Sequence, residues 1–161
     1  MLKDIKSFLN QEKLFELEPL NTLVIGPPHS GKTSLLKLYS KILSEKYRVV
    51  ICDERKELFP SQQDIKTLGP NTDVLLGFPK GKGISMAVRT LSPDVIICDE
   101  IGTHDEASEV LNGVNCGTKF ALSIHAENVN ELRNKLGENA VKSAMNFHPD
   151  VIYNEWESFL K

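Results

Sequence analysis

Cysteine, arginine and long apolar runs are all scarce in this chain, and each scarcity removes a class of protein. Three cysteines in 161 residues, Cys52, Cys98 and Cys116, show none of the spacings of zinc or iron–sulfur ligands. A disulfide scaffold and a cysteine-ligated metal module are excluded. Cys52 and Cys98 sit inside apolar stretches and read as reduced core thiols. No apolar run reaches the ~20 residues of a membrane span, and the opening Met1-Leu2-Lys3-Asp4 lacks the apolar core of a signal peptide. A net charge of −3 supplies no general attraction to nucleic acid or to an anionic membrane. These absences predict a cytoplasmic protein, with docking at the inner face of a membrane through a protein partner left open and nucleic acid an improbable ligand.

What is present reads as one domain over residues 1–161. The 40% apolar and 25% charged residues are ordinary for a globular chain long enough to bury a core. Apolar strands alternate with helical stretches, the pattern of a mostly parallel sheet covered on both faces. The strands are predicted at 22–25, 48–52, 95–98, 119–124 and 151–153. Helices are predicted near 4–15 (within an N-terminal segment 1–18), 34–46, 84–91, 105–116, 129–136 and 138–147. Residues 59–83, with Pro60, Gly69, Pro70, Gly77, Pro79, Gly81 and Gly83, read as an irregular excursion.

The most specific local pattern is Gly26-Pro27-Pro28-His29-Ser30-Gly31-Lys32-Thr33, a match to G-x-x-x-x-G-K-[ST]. It follows a predicted strand and opens a predicted helix, so its N–H groups and those of Ser34 would surround an anion at the positive end of the helix dipole. The pattern alone arises by chance in about one chain of this length in a few hundred, and the strand and helix around it make accident rarer. It predicts a nucleoside triphosphate site in which Lys32 reaches the outer phosphates and Thr33 ligates Mg²⁺.

An internal echo adds the acids. Val50-Ile51-Cys52-Asp53-Glu54 resembles Ile96-Ile97-Cys98-Asp99-Glu100, each an apolar strand ending in an acidic pair. In open α/β sheets ligands bind at that edge, where the phosphate loop also lies. Asp99 is expected to hold magnesium, usually through water, and Glu100 to orient or deprotonate the attacking water. Glu54 is a second catalytic candidate, with Asp53 and Arg55 as sensors or residues acting on a neighbouring subunit. Equally, Glu54 and Arg55 can form a surface ion pair worth less than about 1 kcal/mol. His125, at the end of the fourth predicted strand, has the donors to contact a γ-phosphate. Arg89 is a candidate for stabilising charge in trans, with an ordinary salt bridge as the other reading. The basic loop Phe78-Pro79-Lys80-Gly81-Lys82-Gly83 has three readings: contact with a neighbour's nucleotide, contact with nucleic acid, or plain solvation.

With these residues in view, the chain resembles the ATPase domain of the stage III sporulation protein AA family, relatives of the type II and type IV secretion and pilus-motor ATPases. The likeness is carried by residues 26–33, Asp53-Glu54-Arg55-x-Glu57, Thr72-Asp73-Val74-Leu75-x-Gly77-x-Pro79-Lys80, Arg89-x-x-Ser92-Pro93-Asp94-Val95-Ile96, Asp99-Glu100-Ile101-Gly102 and His125. It extends over about residues 20–155. It implies a P-loop NTPase with a RecA-like three-layer core, AAA-like in its ring-forming habit, and a five-stranded sheet of order 5-1-4-3-2. It further implies ATP and Mg²⁺ as ligands, hexameric homo-oligomers, and a membrane-embedded protein partner. The 53–57 acids would form a nucleotide-facing "Asp box" and His125 a "His box". His29 stands where the family commonly has glycine, and Asn71 where an arginine is expected. The family also has a separate N-terminal domain, which the short stretch before the first strand is read as lacking. Two further readings stay open: a nucleotide-dependent binding switch that hydrolyses almost nothing, and a small-molecule kinase. The kinase is disfavoured because Arg48, Arg55, Arg89 and Arg133 form no arginine-rich lid.

Overall fold

A computed structural model describes residues 18–125 and residue 131. Five strands form one wholly parallel sheet: β1 (Thr22–Gly26), β2 (Val49–Asp53), β3 (Thr72–Leu76), β4 (Val95–Cys98) and β5 (Lys119–His125), in the order β1-β5-β4-β2-β3. Four helices connect them: α1 (Lys32–Leu43), α2 (Gln62–Ile65), α3 (Lys80–Thr90) and α4 (His104–Asn115).

The unbroken apolar runs Val49-Val50-Ile51-Cys52 and Val95-Ile96-Ile97-Cys98 are buried along their whole length, as strands covered on both faces must be. Alternate side chains supply two cores. Val49, Ile51, Val95, Ile97 and Ala121 pack with Leu36 and Leu43 of α1 and with Leu58 and Phe59. Val50, Cys52, Ile96, Cys98, Phe120 and Leu122 pack with Ile84 and Ala87 of α3 and Val110 of α4. Each fully buried Ile, Leu, Val or Phe contributes about 1.5–3 kcal/mol, so this three-layer α/β/α arrangement is held mainly by its two apolar faces. Cys52 and Cys98 are neighbours in the β2–β4 register and are free thiols, and burial pushes the Cys98 thiol up.

Two expectations change. The segment 59–83 is not irregular: it contains α2, opened by a Ser61–Asp64 capping box, then β3 and the start of α3. Among the described residues the sheet's fifth strand is β3, on the edge beside β2, a strand that the order 5-1-4-3-2 did not include. The inner run of that order, 22–25 beside 119–124 beside 95–98 beside 48–52, is as expected. The predicted 151–153 strand, the N-terminal helix and the helices at 129–136 and 138–147 lie outside the described residues, apart from residue 131. Among the described residues no helix is long and apolar enough to cross a membrane.

Because all five strands run the same way, their C-terminal ends meet on one edge. The register places His125 beside Gly26 across β1–β5, and Cys52 beside Cys98 across β2–β4. The phosphate-loop sequence, both acidic pairs and His125 are thus carried to a common edge by strand pairing alone.

Candidate functional site

The loop from Gly26 to Lys32 turns sharply. His29 is left-handed with φ 62°, and Gly31, with φ 92°, opens α1 as its N-cap. At Gly31 a side chain would be strained, which is the reason for glycine there. The α1 N-terminus has no side-chain cap, whereas α2 and α4 each begin with a capping box. Pro27, Pro28, His29 and Ser30 are exposed, and Ser34 lies in the first turn of α1.

Lys32 is 7% exposed, and its Nζ donates to the carbonyl oxygens of Gly26 (3.0 Å) and Pro27 (2.7 Å), with Nδ1 of His125 at 3.0 Å. Burial lowers its pKa from the ordinary lysine value, while the charges of Asp99 and Glu100 pull it upward. The ammonium is thus folded back on its own loop.

Thr33 Oγ1 donates to Asp99 Oδ2 at 2.7 Å, joining the start of α1 to the end of β4. The other carboxylate oxygen, Oδ1, accepts from Ser123 Oγ. Ser123, fully buried in β5, also accepts from the Glu100 N–H at 2.9 Å, so one hydroxyl orders both acids. Among the described residues no three His, Cys, Asp or Glu side chains are gathered for a metal. A hydroxyl beside one carboxylate oxygen nevertheless fits Mg²⁺, which prefers oxygen donors and completes its shell with water and phosphate oxygens.

Glu100 leaves β4 with a left-handed backbone, φ 51°. Its Oε2 accepts from Arg55 Nη1 at 2.6 Å and its Oε1 lies 3.6 Å from His125 Nε2. The main-chain oxygen of Glu100 accepts from Lys80 Nζ at 2.5 Å. Lys32, Thr33, Asp99, Glu100, Arg55 and His125 are therefore one connected cluster.

The first acidic pair is spent differently. Asp53, 3% exposed, accepts from the N–H groups of Glu57 (2.8 Å), Leu58 (3.1 Å) and Phe59 (2.8 Å), which turns the chain away from the sheet. Glu54 is exposed, and its Oε2 accepts from the Lys80 N–H at 3.0 Å, at the first turn of α3. Asp53 and Glu54 thus each make contacts that hold a loop. Arg89 is exposed in the last turn of α3, about 13 Å along the helix axis from Lys80. It is not brought to the cluster within this chain.

Sequence reasoning missed two members, Ser123 and Lys80. Ser123 had a signal: a polar residue within the apolar run Phe120-Ala121-Leu122-Ser123-Ile124. Lys80 had none beyond its place in a basic loop, where solvation was one of the readings; it is 7% exposed.

Residues 5–157 match the protein family described as sporulation stage III, protein AA. The chain is similar to stage III sporulation protein AA of Bacillus subtilis (strain 168), 34% identical over 152 residues, covering 81% of this chain and 50% of that protein. It is also similar to the uncharacterized protein ycf45 of Cyanidium caldarium, 26% identical over 123 residues, covering 68% of this chain and 34% of that protein. The chain therefore spans half the length of the first relative and about a third of the second. Its fold is that of P-loop secretion ATPases. It superposes on the ATPase DotB of Legionella pneumophila with a TM-score of 0.63 at 18% identity, covering 86% of this chain and 40% of that one. It superposes on the VirB11 ATPase of the Brucella suis type IV secretion system with a TM-score of 0.61 at 22% identity, covering 84% and 39%. With a family match across nearly its whole length and 34% identity to a curated member, the chain belongs to the stage III sporulation protein AA family.

Proposed function

We propose that this chain is a magnesium-dependent ATPase core, a cytoplasmic subunit of a homo-oligomeric ring that serves a membrane-embedded partner. The observation that carries the reading is the joining of Thr33 to Asp99 at 2.7 Å beside a Glu100 held toward the same edge as the phosphate loop. Gly26–Thr33 is then a Walker A loop and Asp99-Glu100 the end of a Walker B strand. Phosphoryl transfer to water asks the protein chiefly for positioning and charge neutralisation.

Lys32 would turn from the Gly26 and Pro27 carbonyls to the outer phosphates. Thr33 and, through water, Asp99 would hold Mg²⁺, which when bound neutralises phosphate charge. Glu100 would orient the attacking water and take its proton. The water oxygen bonds to the γ-phosphorus while the bridging oxygen leaves with its electron pair on ADP. His125, within reach of both Lys32 and Glu100, would contact the γ-phosphate. The hexameric ring and the membrane partner are carried over from the secretion and pilus-motor relatives.

A second reading, a nucleotide-dependent switch, is favoured by one contact. Glu100 is paired with Arg55 at 2.6 Å, and the carboxylate oxygen engaged by the guanidinium is not open to an attacking water until that pair opens.

The test is Mg²⁺-dependent phosphate release from ATP at several protein concentrations, beside Lys32→Ala and Glu100→Gln. Specific activity that rises with concentration, with loss of ATP binding in the first variant and of turnover alone in the second, supports an ATPase assembled between subunits. ATP binding with no release at any concentration supports the switch. Full ATP affinity in Lys32→Ala would overturn both.

A further inference from the structure

We propose that Lys80 is the positioning residue for Glu100, its ammonium fixing the peptide that aims the Glu100 carboxylate. The inference rests on the reading of Glu100 as the water-orienting group. A left-handed backbone is unfavourable for a residue with a Cβ and persists only where surrounding contacts over-determine it. At Glu100 they do so from both sides: the N–H donates to Ser123 Oγ at 2.9 Å, and the carbonyl oxygen accepts from Lys80 Nζ at 2.5 Å. The next residue is tied as well, Ile101 N–H to Ser123 O at 2.9 Å.

The geometry has a chemical purpose. Successive side chains of a strand point to opposite faces, so a simple extension of β4 would send Asp99 and Glu100 apart. The left-handed step at Glu100 breaks that alternation. Asp99 meets Thr33 while Glu100 meets Arg55 and approaches His125.

Lys80 is an unusual choice if packing were its only task. It is a lysine 93% buried, and a charge taken out of water is costly unless a specific contact answers it. Its contact is a main-chain oxygen, the one belonging to the left-handed residue. Lys80 is itself anchored: its N–H donates to Glu54 Oε2 at 3.0 Å as α3 begins. The two Asp-Glu echoes are thereby linked, since Glu54 seats the residue that orients Glu100.

The test uses the full chain with Lys80→Met, which keeps length and loses charge, and Lys80→Arg, which keeps charge. Steady-state ATP turnover, affinity for a fluorescent ATP analogue and amide exchange at Glu100 and Ile101 by NMR are read together. Lys80→Met is expected to lower kcat by about tenfold to a hundredfold, the scale of a misplaced catalytic group. KM and analogue affinity stay near wild type, exchange at both amides accelerates, and Lys80→Arg restores most of kcat. Unchanged kcat in Lys80→Met, with turnover lost in Glu100→Gln, overturns the inference and spares the ATPase reading. If Glu100→Gln turns over like wild type, the ATPase reading of Glu100 fails, and amide exchange alone decides: unchanged exchange in Lys80→Met overturns the positioning role too. If Lys80→Met does not fold, Lys80→Gln, polar but too short to reach the carbonyl, is read by the same criteria.

Discussion

Nζ of Lys32 lies 3.0 Å from Nδ1 of His125, so the phosphate-loop lysine and the end of β5 are in direct contact. An ammonium has donors and no acceptor, so where Lys32 donates in this contact Nδ1 is the acceptor. Nε2 is the nitrogen that faces Glu100 Oε1 at 3.6 Å. His125 therefore joins the phosphate-loop lysine to the second acid of the Asp99-Glu100 pair. The pairing of β5 with β1, which sets His125 beside Gly26, makes the bridge possible.

The buried Lys32 gives a pH signature. Burial holds its ammonium below the ordinary value of 10.5, with Asp99 and Glu100 opposing the shift. The unfolded chain then binds this proton more tightly than the folded one. The cost to the folded state is fully present below the lowered pKa and is relieved as pH rises from there toward 10.5. Wild-type stability is expected to rise relative to Lys32→Met across that window. Urea denaturation of the two proteins side by side at stepped alkaline pH checks this, and a gap that stays flat or moves the other way refutes the depressed lysine.

Asp53 gives a prediction that separates a loop holder from a nucleotide sensor. Its two oxygens accept three backbone N–H groups, one on Oδ1 and two on Oδ2. Asp53→Asn must turn an amide NH₂ toward at least one of those donors, leaving it unpaired at a cost of about 1–3 kcal/mol. The expected outcome is a less stable protein whose folded form binds ATP as well as wild type. A variant of wild-type stability that has lost ATP affinity would restore Asp53 to the nucleotide.

These residues also show what a sequence can and cannot disclose. The strand, loop and helix around Gly26–Thr33 were legible because the pattern is local, eight consecutive residues between an apolar run and a helical stretch. The position of the Asp99-Glu100 pair was legible because an apolar run must end where the sheet does, at its C-terminal edge. The parallel class followed from runs such as Val95-Ile96-Ile97-Cys98, apolar on both faces. β3 was hidden because an edge strand can carry Thr72 and Asp73, and its flanks, Gly69-Pro70 and Gly77-Phe78-Pro79, read as loop. Asp53 and Asp99 look alike in sequence, yet what each meets depends on where the chain goes next: back over Asp53 as the 57–59 turn, or on past Ser123 from Asp99. The roles of Ser123 and Lys80 arise from contacts across more than 15 residues of chain, which no local pattern encodes.

The hidden segment offers the sharpest test of packing. Gly69 lies against the end of α1: its N–H donates to Ser44 Oγ at 2.8 Å, and Ser44 is fully buried. A Cβ built on Gly69 would stand 1.9 Å from the Ser44 carbonyl oxygen and 2.4 Å from its carbon. These are backbone atoms, so no side chain can rotate aside; either α1 or the 68–70 turn must shift. Gly69→Ala is expected to destabilise the fold by about 1–3 kcal/mol, the usual cost of overpacking. Chemical denaturation should show a lower midpoint with little change in slope. Because the turn feeds β3 and, through it, the start of α3, the same variant should also speed amide exchange along β3. Wild-type stability in Gly69→Ala would mean that 59–83 does not pack on α1, and the excursion first read from its prolines and glycines would stand.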